Sequence, residues 1–208
     1  MRLQTLSGPS IIALAVLVPH IANAGQLNVF TSDASGFNTH SVWYDDGHEV
    51  TVVDAQFTAR HADALLRDIK SNTKSKVTRI IVTHPNPDKF NGLSAFHRIG
   101  AQSIASKATA AAIPEVDAYK RHFWVKVAKA FADESYPKVE PIKRTYQGRD
   151  VIKLRSGETL TLAELASPGI SSNQTVVRID STGYAFPDMV GYSVYGLVLQ
   201  KARDEAKD

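Results

Sequence analysis

The sequence predicts a layered α/β protein, and three observations carry that expectation. Strand-type apolar runs alternate with amphipathic helical stretches between Glu49 and Ser106, the pattern of a sheet covered by helices rather than of two sheets alone. Two strand-type segments, residues 38–45 and 49–54, flank Asp46-Gly47, a hairpin turn signal because both residue types tolerate positive φ. From Val151 onward the pattern becomes short strands separated by turn residues, Ser156-Gly157 and Ser181-Thr182-Gly183.

The chain begins with a segment of a different kind. Arg2 provides a positive start, residues 11–18 (IIALAVLV) a short apolar run, and Ala22-Asn23-Ala24 a small-x-small site before Gly25. This order reads as a signal peptide over residues 1–24, and the apolar run is too short for a permanent membrane span. The expected domain is therefore residues 25–208, exported to a periplasm or secreted, with no stable membrane anchor.

Composition narrows the function classes. The 208 residues are 43% apolar, enough for one domain with a substantial core. Net charge is +3 with scattered Lys and Arg, which does not point to nucleic acid. There is no cysteine, so disulfides, thiolate metal sites and thiol nucleophiles are excluded. A small-molecule substrate or ligand is the expected partner.

The elements follow in order. Gln26–Thr31 is a first strand, and Val50, Val52 and Val53 mark a mostly buried strand ending at Asp54. Residues 58–72 form a helix: Thr58 is an N-cap, and Ala62, Leu65, Leu66 and Ile69 repeat on one face while Arg60, Asp63, Arg67 and Lys70 lie on the wet side. A strand over 77–83, a helix over 93–99 and a short strand over 101–106 come next. The longest helix is expected over 114–133, with Pro114 in its first turn, Tyr119, Phe123, Val127 and Ala130 in a stripe, and Lys120, Arg121, Lys126 and Lys129 as a solvated basic face. Residues 133–148, with Pro137 and Pro141, read as a linker. Strands return at 151–154, 159–165, 175–180 and 184–186, and 201–208 is charged and frayed.

The chemistry-bearing residues gather in the loop after the 77–83 strand: Thr83-His84-Pro85-Asn86-Pro87-Asp88-Lys89-Phe90-Asn91-Gly92. On the residues alone, His84 is a loop histidine bonded to backbone, Asp88 a cap for the following helix or a partner of Lys89, and Asp188 a turn residue after Pro187. The stretch also resembles the metal-binding signature of the metallo-β-lactamase superfamily, a strand followed by T-H-x-H-x-D-H-x-x-G. Thr83, His84, Asp88 and Gly92 match; Asn86 and Lys89 stand where two histidines belong. Later, Ser167-Pro168-Gly169-Ile170-Ser171 is similar to the family's P-G-H-T/S segment with Ile170 in place of its histidine. Ala185-Phe186-Pro187-Asp188 is similar to the strand and aspartate that bridges two metals.

That resemblance implies an αββα metallo-β-lactamase-like sandwich with its second half incomplete, and a hydrolase of esters, thioesters, amides or β-lactams. It implies zinc, one ion at most, held by His84, Asp88 and Asp188, with Asp88 also the catalytic residue. The departures imply impaired catalysis: an amide oxygen suits hard cations better than zinc, isoleucine cannot coordinate, and a lysine brings positive charge to a cation position. Lys89 is expected to pair with Asp88 or Asp188 and neutralise carboxylates left without an ion. The alternative is a non-catalytic binding protein or pseudoenzyme on the same scaffold.

Overall fold

A computed structural model describes residues 25–165, 171, 173–182, 184–187 and 200–201. The expected signal peptide, Ile170, Asp188 and the charged terminus over 202–208 lie outside the described residues.

Two sheets face each other. The first has the order β1 (Gln26–Thr31), β2 (His40–Asp45), β3 (Glu49–Val53), β4 (Lys76–Ile81), β5 (Gln102–Ser106), β6 (Arg144–Tyr146). The β1–β2 and β2–β3 pairs are antiparallel, and β3, β4, β5 and β6 are mutually parallel. The second, antiparallel throughout, runs β11 (Gln200–Lys201), β10 (Tyr184–Pro187), β9 (Thr175–Ile179), β8 (Thr159–Glu164), β7 (Arg149–Lys153).

The side-chain alternation of the first sheet decides which layer each residue joins. Trp43, Val50, Val52 and Ile80 point to one face and pack with Leu65 and Ile69 of α1 (Ala59–Asn72) and with Leu93 and Phe96 of α3 (Leu93–Arg98). Val42, Tyr44, Val53, Ile81 and Ile104 point to the other face and meet Ile152, Leu160, Leu162, Val177 and Ile179 of the second sheet. A helix layer, a mixed sheet and an antiparallel sheet therefore stack in that order. Among the described residues no helix follows β6.

The local signals explain most elements. Asp46-Gly47 makes the β2–β3 turn with Gly47 at φ +87°, and Asp46 Oδ1 accepts from the backbone N–H groups of His48 and Glu49 at 2.8 and 2.7 Å. Thr58 caps α1, its hydroxyl accepting from the His61 backbone N–H.

Three expectations are corrected. The long helix spans Lys107–His122 (α4), not 114–133, because Ser106 caps it by accepting from the Thr109 backbone N–H and the alanines that follow favour helix. Pro114 therefore sits inside α4, and beyond His122 the chain continues as a π-helical turn, Phe123–Val127. Within the expected 133–148 linker lies β6, a three-residue edge strand whose pairing with β5 rests on long-range register (Ile104 opposite Arg144, Ser106 opposite Tyr146). The central loop also holds a short helix, α2 (Pro87–Phe90), opened by a proline at its start.

Candidate functional site

The loops that leave the carboxyl ends of β3 and β4 converge. β3 delivers Asp54, β4 delivers Thr83 and His84, and α2 carries Asp88 and Lys89 back over them. Backbone bonds fix this: Asp54 N–H donates to Ile81 O at 2.8 Å, Ala55 N–H to Lys89 O at 2.9 Å, and Gly92 N–H to Gln56 O at 3.1 Å.

Asp54 is the hub. Its carboxylate accepts from the Thr83 backbone N–H at 3.0 Å and from the Thr83 hydroxyl at 2.9 Å (Oδ1) and 3.0 Å (Oδ2). Its backbone carbonyl accepts from the Ser41 hydroxyl at 2.6 Å, and Gln56 Nε2 donates to Ser41 Oγ at 2.7 Å. Asp54 and Gln56 both hold positive φ, +67° and +75°, a conformation costing non-glycine residues of order 1–3 kcal/mol and kept only where surroundings over-determine it.

Lys89 enters this acidic centre. Its ammonium is 2.9 Å from Asp88 Oδ2 and 3.7 Å from Asp54 Oδ2, with the Lys89 and Asp54 side chains each only 6% exposed. The expected pairing of Lys89 with Asp88 is thus present, and Asp54 is a second carboxylate that sequence reasoning did not place in the site. The available signal was its position, an aspartate closing an apolar strand. His84 is fully buried beside Thr83 and Asn86 half-buried at the start of α2, where its side chain makes no capping bond. Asp188, the third expected ligand, lies outside the described residues.

Two further contacts tie the loop to both layers. A Cβ on Gly92 would fall 1.9 Å from Ala55 O and 2.7 Å from Ala62 Cβ, so only glycine lets the loop close on α1. On the other side, Thr175 N–H donates to Thr83 O at 2.8 Å, and Tyr146 OH is 2.6 Å from Thr175 Oγ1. Burial pushes the Tyr146 phenol up to about 12, so it stays neutral.

The donor chemistry does not fit zinc on the described residues alone. A catalytic zinc takes three nitrogen or oxygen ligands and keeps one open position. His84 and Asp88 are two of the family's positions, but Lys89 places a cation against the Asp88 carboxylate. Among the described residues no group of three or more His, Asp or Glu side chains is arranged to hold a metal. Among the described residues, Lys89 brings a positive charge to this centre.

No family model matches this sequence. Its structure does resemble solved ones. A metallo-β-lactamase from Pontibacter korlensis is 18% identical with a TM-score of 0.56, over 77% of this chain and 64% of that one. A metallo-β-lactamase from Hirschia baltica is 17% identical with a TM-score of 0.53, over 78% and 64%. The metallo-β-lactamase FIM-1 from Pseudomonas aeruginosa, in its mono-zinc form, is 14% identical with a TM-score of 0.52, over 78% and 62%. This chain therefore has the metallo-β-lactamase fold, matching just under two thirds of the length of these structures.

Proposed function

We propose that this chain is an exported, hydrolase-derived protein on the metallo-β-lactamase scaffold whose zinc-dependent hydrolysis is impaired. One observation supports this above the others: Lys89 occupies the acidic centre between Asp54 and Asp88. A buried ammonium and a zinc ion compete for the same carboxylates, and the lysine is tethered there. The leader pattern of residues 1–24 supports export. The same ion pairs favour a second reading, a non-catalytic binding protein for a small molecule, because the ammonium offsets carboxylate charge at the site without a metal.

Metal content and thermal stability with and without a chelator test the proposal. The expected result is substoichiometric zinc, no change in Tm with chelator, and background turnover on a panel of chromogenic esters, thioesters and β-lactams. Stoichiometric zinc with a large chelator-induced fall in Tm would overturn it. Background turnover together with saturable binding of one panel compound would favour the binding protein.

A further inference from the structure

The carboxyl end of α4 does not bury its apolar side. Tyr119 is 66% exposed, Phe123 39% and Val127 61%, and their spacing of four sets them in one stripe where the helix passes into its π-helical turn. The stripe runs on across the surface: the Phe123 ring lies 5.1 Å from Trp124, and Trp124 lies 4.9 Å from Phe37. Phe37, 42% exposed, is presented by the β1–β2 loop at φ +62°. Buried Phe57 and Tyr136 and partly buried Phe131 prop this patch, with Phe57 5.6 Å from both Trp124 and Phe131, and Phe131 5.6 Å from Tyr136. The exposed side chains therefore stand on a packed base.

Within the stripe itself the charge has one sign, although Glu115 is exposed one turn before Tyr119 and Asp33 is exposed in the loop that presents Phe37. Residues 119–130 contain Lys120, Arg121, Lys126 and Lys129 and no carboxylate. Arg121 turns inward, stacked 4.5 Å over the Tyr136 ring and 3.9 Å from Asp117, and Lys126 pairs with Asp133 at 2.5 Å. Lys120 lies 5.6 Å from the Tyr119 ring centre, and Lys129, two residues after Val127, is exposed.

We propose that this stripe is an interfacial docking surface for an anionic phospholipid bilayer. Contiguous exposed apolar side chains with a charged rim mark an interaction site, whereas scattered ones do not. Phenylalanine, tyrosine and tryptophan settle at the boundary between headgroup and acyl chain, and flanking lysines gain from anionic headgroups. A second copy of this chain is the poorer occupant, since a two-fold contact would set Lys120 and Lys129 against the same basic rim. Among the described residues no helix is long and apolar enough to cross a membrane; the proposed association is peripheral. It stands independently of the site around Lys89.

Sedimentation with vesicles tests it, using the protein as recovered from the expressing cell with its amino terminus read by mass. Vesicles of phosphatidylcholine with roughly one quarter phosphatidylglycerol should pellet the protein, pure phosphatidylcholine much less, and roughly 0.5 M salt should release most of it. Trp124 emission should shift to the blue, while fully buried Trp43 stays unchanged. The F123S/V127S variant, truncated only at exposed positions, should lose about tenfold or more in partitioning with Tm unchanged. K120Q/K129Q, which leaves the aromatics in place, should lose the dependence on phosphatidylglycerol. Partitioning equal to wild type in F123S/V127S, whose amino terminus is the same, would overturn the proposal. So would a dimer that F123S/V127S dissolves without any vesicle binding in the wild type.

Discussion

The Lys89 ammonium and the Asp54 carboxylate are buried 3.7 Å apart at the carboxyl ends of the parallel strands, while Asp54 also takes three hydrogen bonds from Thr83. A lysine here offsets carboxylate charge that would otherwise be buried uncompensated. The pair is a liability if only one member is removed.

Lys89→Met should therefore destabilise the fold by about 3–5 kcal/mol, the usual cost of leaving a buried charge unpartnered. Urea unfolding measures it. The double variant D54N/K89M should recover much of that loss, since both buried charges are gone and only the partly exposed Asp88 carboxylate is left. Equal loss in single and double variants would show that packing, not charge, holds Lys89.

Thr83→Val removes a hydroxyl donor to both oxygens of Asp54 while keeping shape. The expected loss is about 1–3 kcal/mol, read from the same unfolding curves. No loss would mean the backbone N–H of Thr83 suffices for Asp54.

Two glycines separate space from backbone conformation. Gly92→Ala places a Cβ 1.9 Å from Ala55 O and must displace the loop, a cost of about 1–3 kcal/mol or more. Gly47→Ala meets nothing within 4 Å, and its strain comes from φ +87°, about 1 kcal/mol. A larger loss at Gly47 than at Gly92 in thermal melts would contradict this ordering.

Acid should weaken the second sheet through Asp180. Burial opposes ionisation of its carboxyl, but bonds from Thr159 (2.7 Å), Thr161 (2.9 Å) and Arg178 (2.7 Å) outweigh it and hold it below the usual carboxylate range. Its contribution is complete above the unfolded value of about 3.9 and is lost as pH falls through the lower native value. Tm measured against pH should show wild type and D180N furthest apart near neutrality and converging in strong acid. A gap that stays constant with pH would sink the assignment.

Repair of the loop offers a direct check on the family's ligand positions. The N86H/K89H/I170H variant should bind zinc more tightly than the wild type in titration calorimetry, because it restores imidazoles and removes the competing ammonium. Unchanged affinity in a folded variant would count against placing those three positions around one centre.

Local chemistry made much of the fold legible. The Asp46-Gly47 turn, the Thr58 cap with its apolar face on α1, and the strand–helix–strand rhythm are all set by near neighbours, and each is present. The loop carrying His84, Asp88 and Lys89 after an apolar strand was legible too, as was the pairing of Lys89 with the adjacent Asp88. Hidden from the sequence were β6, too short to show a period and defined by its register with β5, and the start of α4, where a serine cap overrode the usual meaning of a proline.

Only the tertiary structure brought Asp54 to Lys89. The two belong to loops after different elements, and nothing in the residues around either one names the other. Their meeting depends on β3 and β4 lying parallel, so that both strands release their loops at the same end, and on α2 folding back over them through the Lys89 carbonyl. Caps, turns and periodicities act over a few residues and can be read along the chain, whereas the partner of a buried charge is decided by which strands lie side by side.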